Sequence, residues 1–435
     1  MTWPAWRLVL LLMAICFVAH FNRVSMAVAG DLRIMREYAI EPTQMGLVYS
    51  AFLAAYTLFM IPGGWLIDRR GPRFALMLMC LGSAVFVVLT GLVGVATASA
   101  ALALPSFLII RSLMGLVSAP LHPAAANAVS RDMPAPQRAA ANGMVTGAAL
   151  LGIASSYVVF GWLIDYLTWP GAFVAAGLAT AIVGWLWVRF AQAETPDAHS
   201  GGSQAVVCSE QLAVGGAVGF LRRNKNLLLL TTSYAAVGYF QYLFFYWMHY
   251  YFKDVLKLGD QESRFYATIP PLAMALGMPL GGWLSDRIQS LFGWRAARGG
   301  MAASAMIASA GLLQFGVRAT EPFWIVTWMS LALGVLGTLE GPFWVTAVEV
   351  GRGRGGLSAG IFNTGGNAGG IIAPILTPWI STELGYGWQA GLTVGSVVCL
   401  VGAVLWLWID DGSRNETNTQ DVSLILTPHP HPRIS

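Results

Sequence analysis

The chain has 435 residues, of which 56% are hydrophobic and only 11% charged, and its formal net charge is +4. Soluble domains carry about 25% charged residues, so the composition excludes an ordinary soluble protein and indicates a polytopic membrane protein. The small positive charge predicts no nucleic-acid partner, because in membrane proteins the placement of Lys and Arg matters more than their sum. Four cysteines without paired spacing predict neither a disulfide framework nor a metal site, and no cofactor is expected.

Apolar windows of about 20 residues predict twelve membrane-spanning helices, six in each half of the chain. They fall at 6–28, 44–67, 75–97, 101–129, 140–163, 171–189, 227–251, 264–286, 300–317, 322–349, 356–381 and 389–409. Arg7 and an Ala-Val-Ala triplet at 27–29 imitate a cleavable secretory signal, but removing the first helix would leave unequal halves. The predicted fold class is therefore all-α integral membrane, with two pseudo-symmetric six-helix bundles.

Four units follow from these helices. An N-terminal bundle covers 1–190, a polar cytoplasmic linker 191–225, a C-terminal bundle 226–410 and a disordered tail 411–435. With both termini in the cytoplasm, 17 of the 25 Lys and Arg residues lie on the inner side and six on the outer side. The positive-inside rule favours this orientation, and we expect a monomer in the plasma (inner) membrane, in contact with lipid.

One phrase occurs twice. Residues 63–69 read GGWLIDR and residues 281–287 read GGWLSDR, each at the polar end of an apolar stretch. An internal repeat of half the chain length predicts a transporter built from two related halves.

Three charged residues fall at membrane depth: Arg23, Arg111 and Glu340. A charge at the bilayer centre costs roughly 2.5 to 3.5 kcal/mol even on insertion scales, so such residues usually face a cavity and carry function. The alternative is a structural ion pair or a snorkelling side chain, most plausible for Arg23 near a helix end.

Helical spacing adds further candidates. His20 lies one turn before Arg23, and Arg111 shares a helix face with Ser118 and His122. Helix 7 carries Tyr242 in a stripe of hydroxyl-bearing aromatics that fits either a polar ligand or a membrane-interface belt. On helix 11, Asn363 and Asn367 share a face with glycines. The glycines indicate close helix packing, whereas the two Asn residues favour contact with a ligand.

The doubled phrase, with its first-half continuation RGPR at 70–73, resembles the signature of the major facilitator superfamily. The resemblance implies the twelve-helix fold and a gate on the inner side. In that gate Asp68 would hold the start of helix 11 and Asp286 the start of helix 5, because a carboxylate is stabilised at a helix N-terminus. The neighbouring gate residues are Arg69, Arg73 and Arg287.

Shorter motifs resemble the anion:cation symporters, the group that includes sugar-acid transporters and sialin. They are FNRVSMAV at 21–28, the Arg111 segment followed by QRA at 137–139, and GIFN at 360–363. The resemblance implies that Arg23 and Arg111 bind the substrate carboxylate and that Asn363 reaches its hydroxyls. A guanidinium suits this role because it stays charged and can bind both carboxylate oxygens.

Two positions depart from that family. Proton-coupled bacterial relatives have an Asp before the helix 1 Arg and a Glu on helix 4, where this chain has Asn22 and Ser118. One hypothesis is that Glu340 replaces the lost carboxylate and carries a proton. It could equally be a counter-ion for an Arg, or support the break at Pro342. His20 and His122 are weaker proton candidates.

These observations predict a secondary active transporter that moves small organic anions, such as sugar acids, by alternating access, with H⁺ or Na⁺ as the coupling ion. The alternatives are an organic-anion or sugar-phosphate exchanger and, from another class, a transporter-like sensor. An enzyme is not expected, because no cluster of nucleophile, base and acid appears.

Overall fold

The computed structural model describes residues 3–97, 99–133, 138–191, 214–293, 296–351 and 355–409. These residues form twelve long helical segments, as the apolar windows predict. They are α1 3–37, α2 42–70, α3 72–96, α4 100–132, α5 138–167, α6 169–190, α7 225–255, α8 260–292, α9 296–318, α10 322–350, α11 355–383 and α12 388–408. Continuous helix is expected in a bilayer, because backbone polar groups find no water there and must bond within the segment.

Eight stretches of the described chain are long and apolar enough to cross a membrane, and one of them, Ala141–Phe190, contains both α5 and α6. A short helix, Val214–Arg223, lies within the predicted linker, while the predicted tail lies outside the described residues. The domain boundaries remain predictions.

The main correction concerns helix ends. The first helix was predicted to end at residue 28, but α1 continues to Glu37 and α8 continues to Phe292. The apolar windows stop where charged residues begin, at Asp31 in α1. In the folded protein that part of α1 packs against the other half of the chain, so the helix continues although its sequence becomes polar.

The turn after the first GGWLIDR phrase depends on a glycine. Gly71 has a φ of 77°, a left-handed conformation that glycine adopts without steric cost, and it separates α2 from α3. In the second half, the equivalent helix runs on past Arg287 and ends at Gly293, which has a φ of 81°. The two copies of the phrase therefore end in different structures.

The first glycine of each phrase has the same structural role in both halves. Gly63 packs against Pro120, at the break in α4, and Gly281 packs against Thr338, at the break in α10. A Cβ at Gly281 would lie 2.0 Å from the Thr338 carbonyl oxygen. The two related contacts show the pseudo-symmetry of the halves directly.

Among the described residues, helix pairs that join the halves include α2 with α11, α5 with α8, and α1 with α7. We call the side of the molecule that carries residues 3 and 409 the terminal face, and the opposite side the distal face. Several polar contacts between the halves lie near the distal ends of their helices, including Arg36 with Asp254 and Arg264 with Asp165.

Gly281 and its neighbour Gly282 offer a matched test of the α8–α10 contact. We expect Gly281→Ala to destabilise the protein by about 1 to 3 kcal/mol, because the added methyl group overlaps backbone. Gly282→Ala has open space around its Cβ and should be neutral or slightly stabilising, since Ala favours helix over Gly. Thermal unfolding of both purified variants in detergent checks this; equal melting temperatures would contradict it.

Candidate functional site

A cavity opens within the N-terminal half, between α1, α2 and α4. The cavity is small in this conformation, with a volume of about 10 Å³, close to the room that one water molecule needs. The lining combines basic, hydroxyl and aromatic side chains: Ala19, His20, Arg23, Phe52, Tyr56, Ser118, Leu121 and His122. No acidic side chain is among them, so the cavity wall is positively charged.

Arg23 is the charged group of this wall. Its side chain is only 8% exposed, and its guanidinium carbon lies 5.2 Å from the Phe52 ring centre, 5.7 Å from Tyr56 and 5.0 Å from Tyr242. Arg23 Nη2 donates a hydrogen bond to the Tyr242 hydroxyl of the other half, while its Nε is buried without a partner among the described residues. Aromatic faces stabilise a desolvated cation without neutralising it, so Arg23 can still pair with an anion.

Arg111 lies behind this wall rather than on it. It is 1% exposed and donates from Nη2 to the Arg23 carbonyl oxygen at 2.8 Å and from Nη1 to the Asn22 carbonyl oxygen at 3.3 Å. Its guanidinium carbon also lies 5.0 Å from the Phe52 ring centre. Arg111 therefore ties α4 to α1 at the residue that lines the cavity, and its predicted contact with substrate remains a prediction.

The two histidines predicted as candidates lie together. The rings of His20 and His122 are 5.2 Å apart, and His20 Nδ1 lies 3.0 Å from the Cys16 carbonyl oxygen. A carbonyl only accepts, so His20 Nδ1 carries a proton and its Nε2 is an acceptor in the neutral ring. Ser118 also lines the cavity and hydrogen bonds with Ser83 at 3.2 Å.

The predicted residues of the C-terminal half are spread out. Tyr242 reaches Arg23, as described, and Asn367 is 7% exposed with its Nδ2 3.7 Å from the Met60 sulfur of α2. Asn363 is partly exposed on α11. Neither Asn lines the cavity between α1, α2 and α4, and their contact with ligand remains a prediction.

Glu340 is buried, at 8% exposure, at the start of the second part of α10. Its Oε2 accepts hydrogen bonds from the Tyr234 hydroxyl at 3.0 Å and from Trp344 Nε1 at 3.2 Å. Among the described ion pairs none involves Glu340, so the idea that it neutralises an Arg gains no support.

The structure describes the side chains of three predicted gate residues, Arg69, Arg73 and Arg287. Arg73 donates to the Val188 carbonyl oxygen at 2.8 Å, and Trp187 Nε1 donates to the Arg73 carbonyl oxygen at 3.0 Å, so this residue joins α3 to α6. Arg69 and Arg287 are exposed. The side chains of Asp68 and Asp286 lie outside the described structure. Their predicted contacts with the starts of helices 11 and 5 therefore remain predictions.

The sequence analysis missed a charged cluster at the distal boundary between the halves. Asp31 of α1 faces His249 of α7, with the Asp31 Oδ2 and His249 Nδ1 atoms 3.3 Å apart. The signal was present, because Asp31 and His249 are separated by 218 residues, the offset of the doubled phrase.

Within the described residues no group of His, Cys, Asp or Glu is arranged to hold a metal ion. Cys16, Cys80 and Cys399 are buried free thiols.

Comparison with known proteins identifies the fold family. The family model of the Major Facilitator Superfamily matches residues 12–359. The chain belongs to the Major Facilitator Superfamily. It is a multi-pass membrane protein with the two-bundle fold of that family, as the doubled phrase predicts.

Several relatives transport anions. The chain is 27% identical to a probable sulfoacetate transporter of Cupriavidus necator, over 91% of each chain. It is 27% identical to the D-galactonate transporter of Escherichia coli O6:H1, over 92% of this chain and 93% of that one. A probable galactarate/D-glucarate transporter of Bacillus subtilis is 26% identical over 87% of this chain and 86% of its own length.

Solved structures agree on the fold. A bacterial homologue of the human lysosomal transporter Spinster, in an inward-facing conformation, superposes with a TM-score of 0.73 at 15% identity, over 93% of this chain and 97% of that one. The E. coli xylose transporter in a partially occluded inward-open conformation superposes with a TM-score of 0.68 at 13% identity, over 93% of this chain and 99% of that one. At such identities the likeness shows the fold alone.

The contact between Arg111 and α1 can be tested by stability. We expect Arg111→Lys to lower the free energy of unfolding by about 1 to 3 kcal/mol, because a compact ammonium group cannot bond both carbonyls as the guanidinium fork does. Arg33→Lys, on the exposed surface of α1, is the matched control and should change nothing. Thermal unfolding in detergent is the measurement, and a stable Arg111→Lys protein would show that the fork is dispensable.

Proposed function

We propose that this protein is a secondary active transporter of small organic anions, such as sugar acids or sulfonated carboxylates. The observation that carries the proposal is Arg23: a buried guanidinium on a cavity wall, surrounded by aromatic rings and without a carboxylate partner among the described ion pairs. Such a group has most to gain from an incoming carboxylate or sulfonate, which can accept charge-assisted hydrogen bonds from it. The D-galactonate transporter and the probable sulfoacetate transporter among the relatives support the same substrate class.

The arrangement of the halves supports alternating access. Arg23 belongs to the N-terminal half, and Tyr242, which accepts its hydrogen bond, belongs to the C-terminal half. An anion that takes the place of the tyrosine hydroxyl would change a contact between the halves at the moment it binds. Substrate binding and movement of the two bundles would then share one hydrogen-bond donor.

In this proposal Arg23 contacts the anion, and Arg111 positions Arg23 by holding the carbonyl of the same residue. On the same wall, His20 Nε2 and Ser118 Oγ can accept hydrogen bonds from substrate hydroxyls, because their own protons go to the carbonyl oxygens of Cys16 and Met114. His122 can donate or accept there. We further propose that uptake is coupled to H⁺ or Na⁺, that the protein is a monomer in the plasma membrane, and that both termini face the cytoplasm.

Uptake into proteoliposomes tests the proposal. The panel is radiolabelled sulfoacetate, D-galactonate, D-glucarate and phosphate, with a neutral sugar for comparison, each under imposed pH and sodium gradients. We expect at least one organic anion to be taken up. If every anion fails while the neutral sugar enters, the proposal is wrong; uptake of phosphate alone would favour the sugar-phosphate alternative.

A substitution at Arg23 tests the site itself. We expect Arg23→Gln to weaken anion binding about 10- to 100-fold, since charged hydrogen bonds are worth about 1.5 to 3 kcal/mol. Arg33→Gln, two turns and a half further along α1 and exposed, is the control and should bind normally. Binding is measured by scintillation proximity with the labelled anion, and equal affinity of the two variants would remove Arg23 from the site.

A further inference from the structure

The distal boundary contains a fully buried acid and imidazole that belong to different halves. Both the Asp31 and the His249 side chains have 0% exposure, and Asp31 Oδ2 lies 3.3 Å from His249 Nδ1. The second oxygen of Asp31 and the Nε2 of His249 are buried without a hydrogen-bond partner among the described residues. Asp31 also interacts with Tyr49, with the Tyr250 backbone and, electrostatically, with Lys253.

Their positions in the two halves are equivalent. Asp31 and His249 are 218 residues apart, and so are Arg36 and Asp254, which form an ion pair one to two turns closer to the distal surface. Residues related by the repeat can meet each other only near the pseudo-twofold axis that relates the halves. Asp31 and His249 therefore lie where α1 and α7 must separate when the distal side opens.

Asp31 differs from the other acids of this cluster in its nearest ion-pair partner. Asp254 pairs with Arg36, Asp260 with Lys253 at 2.9 Å, and Asp165 with Arg264, whose Nη2 lies 2.9 Å from Asp165 Oδ1. The only described ion-pair contact of Asp31 is with His249, which is charged only when protonated, although Lys253 also acts on Asp31 electrostatically.

We propose that Asp31 and His249 together form the binding site of the proton that accompanies the anion; this inference rests on the proposed transport function. A proton taken from the distal solution forms an N–H bond on His249 or an O–H bond on Asp31, and no electrons are transferred. With that proton the pair is either an ion pair or a neutral acid beside a neutral imidazole. Without it, closing the boundary would bury an unpaired carboxylate, which is costly.

The other titratable and charged groups around the pair come from every neighbouring helix. They are Tyr49 of α2, Tyr157 of α5, Tyr246, Tyr250, Lys253 and Asp254 of α7, and Asp260 and Arg264 of α8. The four ionic residues among them, Lys253, Asp254, Asp260 and Arg264, each form an ion pair with an oppositely charged Asp, Lys or Arg. Asp31 and His249 differ from them, because their contact joins an acid to an imidazole rather than to a Lys or Arg.

A stack of tyrosine rings leads from the neighbourhood of the pair to the cavity. The Tyr49 ring stacks on Tyr246 at 5.0 Å, Tyr246 stacks on Tyr242 at 5.9 Å, and the Tyr242 hydroxyl accepts from Arg23. This chain connects the distal boundary with the proposed anion site. A proton bound at Asp31 and His249 and an anion bound at Arg23 thus act on the same α1–α7 contact, which is what coupling requires.

The test separates net coupled uptake from exchange. Proteoliposomes are assayed with D-galactonate, or with sulfoacetate if the unaltered protein prefers it, in two ways: accumulation driven by a pH gradient, and counterflow at equal pH, which needs no net proton movement. Asp31→Asn keeps the size of the side chain but cannot hold the proton. We expect its accumulation to fall to the level seen without a gradient, while counterflow stays within about threefold of the unaltered protein.

Three companion variants sharpen the result. Arg36→Gln removes the neighbouring ion pair with Asp254 but leaves both members of the Asp31–His249 pair in place, and it should keep its pH-driven accumulation. Glu340→Gln tests the rival proton site and should also keep it. The double exchange Asp31→His with His249→Asp restores an acid and an imidazole on equivalent positions, so we expect it to recover at least a third of the coupled accumulation lost in Asp31→Asn.

The outcomes are distinct. Unchanged accumulation in Asp31→Asn, or loss in Glu340→Gln alone, overturns the inference. Unaltered protein that transports an anion without response to pH overturns it too and leaves the transport function standing, whereas absence of all anion transport refutes the proposed function and this inference with it. If Asp31→Asn does not assemble, the double exchange decides: coupled uptake supports the pair, and counterflow without coupling refutes it.

Discussion

Two guanidinium groups buried in an apolar bundle, without a carboxylate beside them among the described ion pairs, set the main constraint on the N-terminal half. Desolvating such a cation is costly, and the protein offsets this cost with helix carbonyls and aromatic faces. Arg111 uses the carbonyls of Asn22 and Arg23, and the Phe52 ring lies about equally close to both guanidinium carbons. The packing of α1, α2 and α4 thereby holds positive charge at one place, and this is the charge that the proposed anion would meet.

The C-terminal half contributes differently to this site. Its aromatic helix α7 supplies the Tyr242 hydroxyl to Arg23, and the same helix carries His249 toward the distal boundary. One helix, α7, therefore contacts both the charged cavity wall and the distal boundary between the halves. A rigid-body movement of the C-terminal bundle would alter both contacts together, which gives the fold a simple means of linking occupancy of the cavity to closure on the distal side.

The sequence predicted the twelve helices because apolar length is a strong signal in a membrane protein. It failed at helix ends such as residues 29–37, where hydropathy falls but packing against the other half maintains the helix. Helical spacing placed Arg111 on one face with Ser118 and His122, but spacing does not show which helix that face packs against. In the structure Arg111 donates hydrogen bonds to backbone carbonyls of α1. The Asp31–His249 contact was detectable only by applying the offset of the doubled phrase to the rest of the chain.

The 218-residue relation between contacting partners has a consequence for the way the protein is assembled. Two identical six-helix chains joined by a true twofold axis would form isologous contacts, so each residue on the axis would face its own copy. Asp31 would then meet an aspartate and Arg36 an arginine, and both contacts would be repulsive. When the halves are joined in one polypeptide, the two residues that meet at an axial position can differ. Pairs of different residues, such as an acid with an imidazole, then become possible, whereas a symmetric dimer permits only pairs of identical residues.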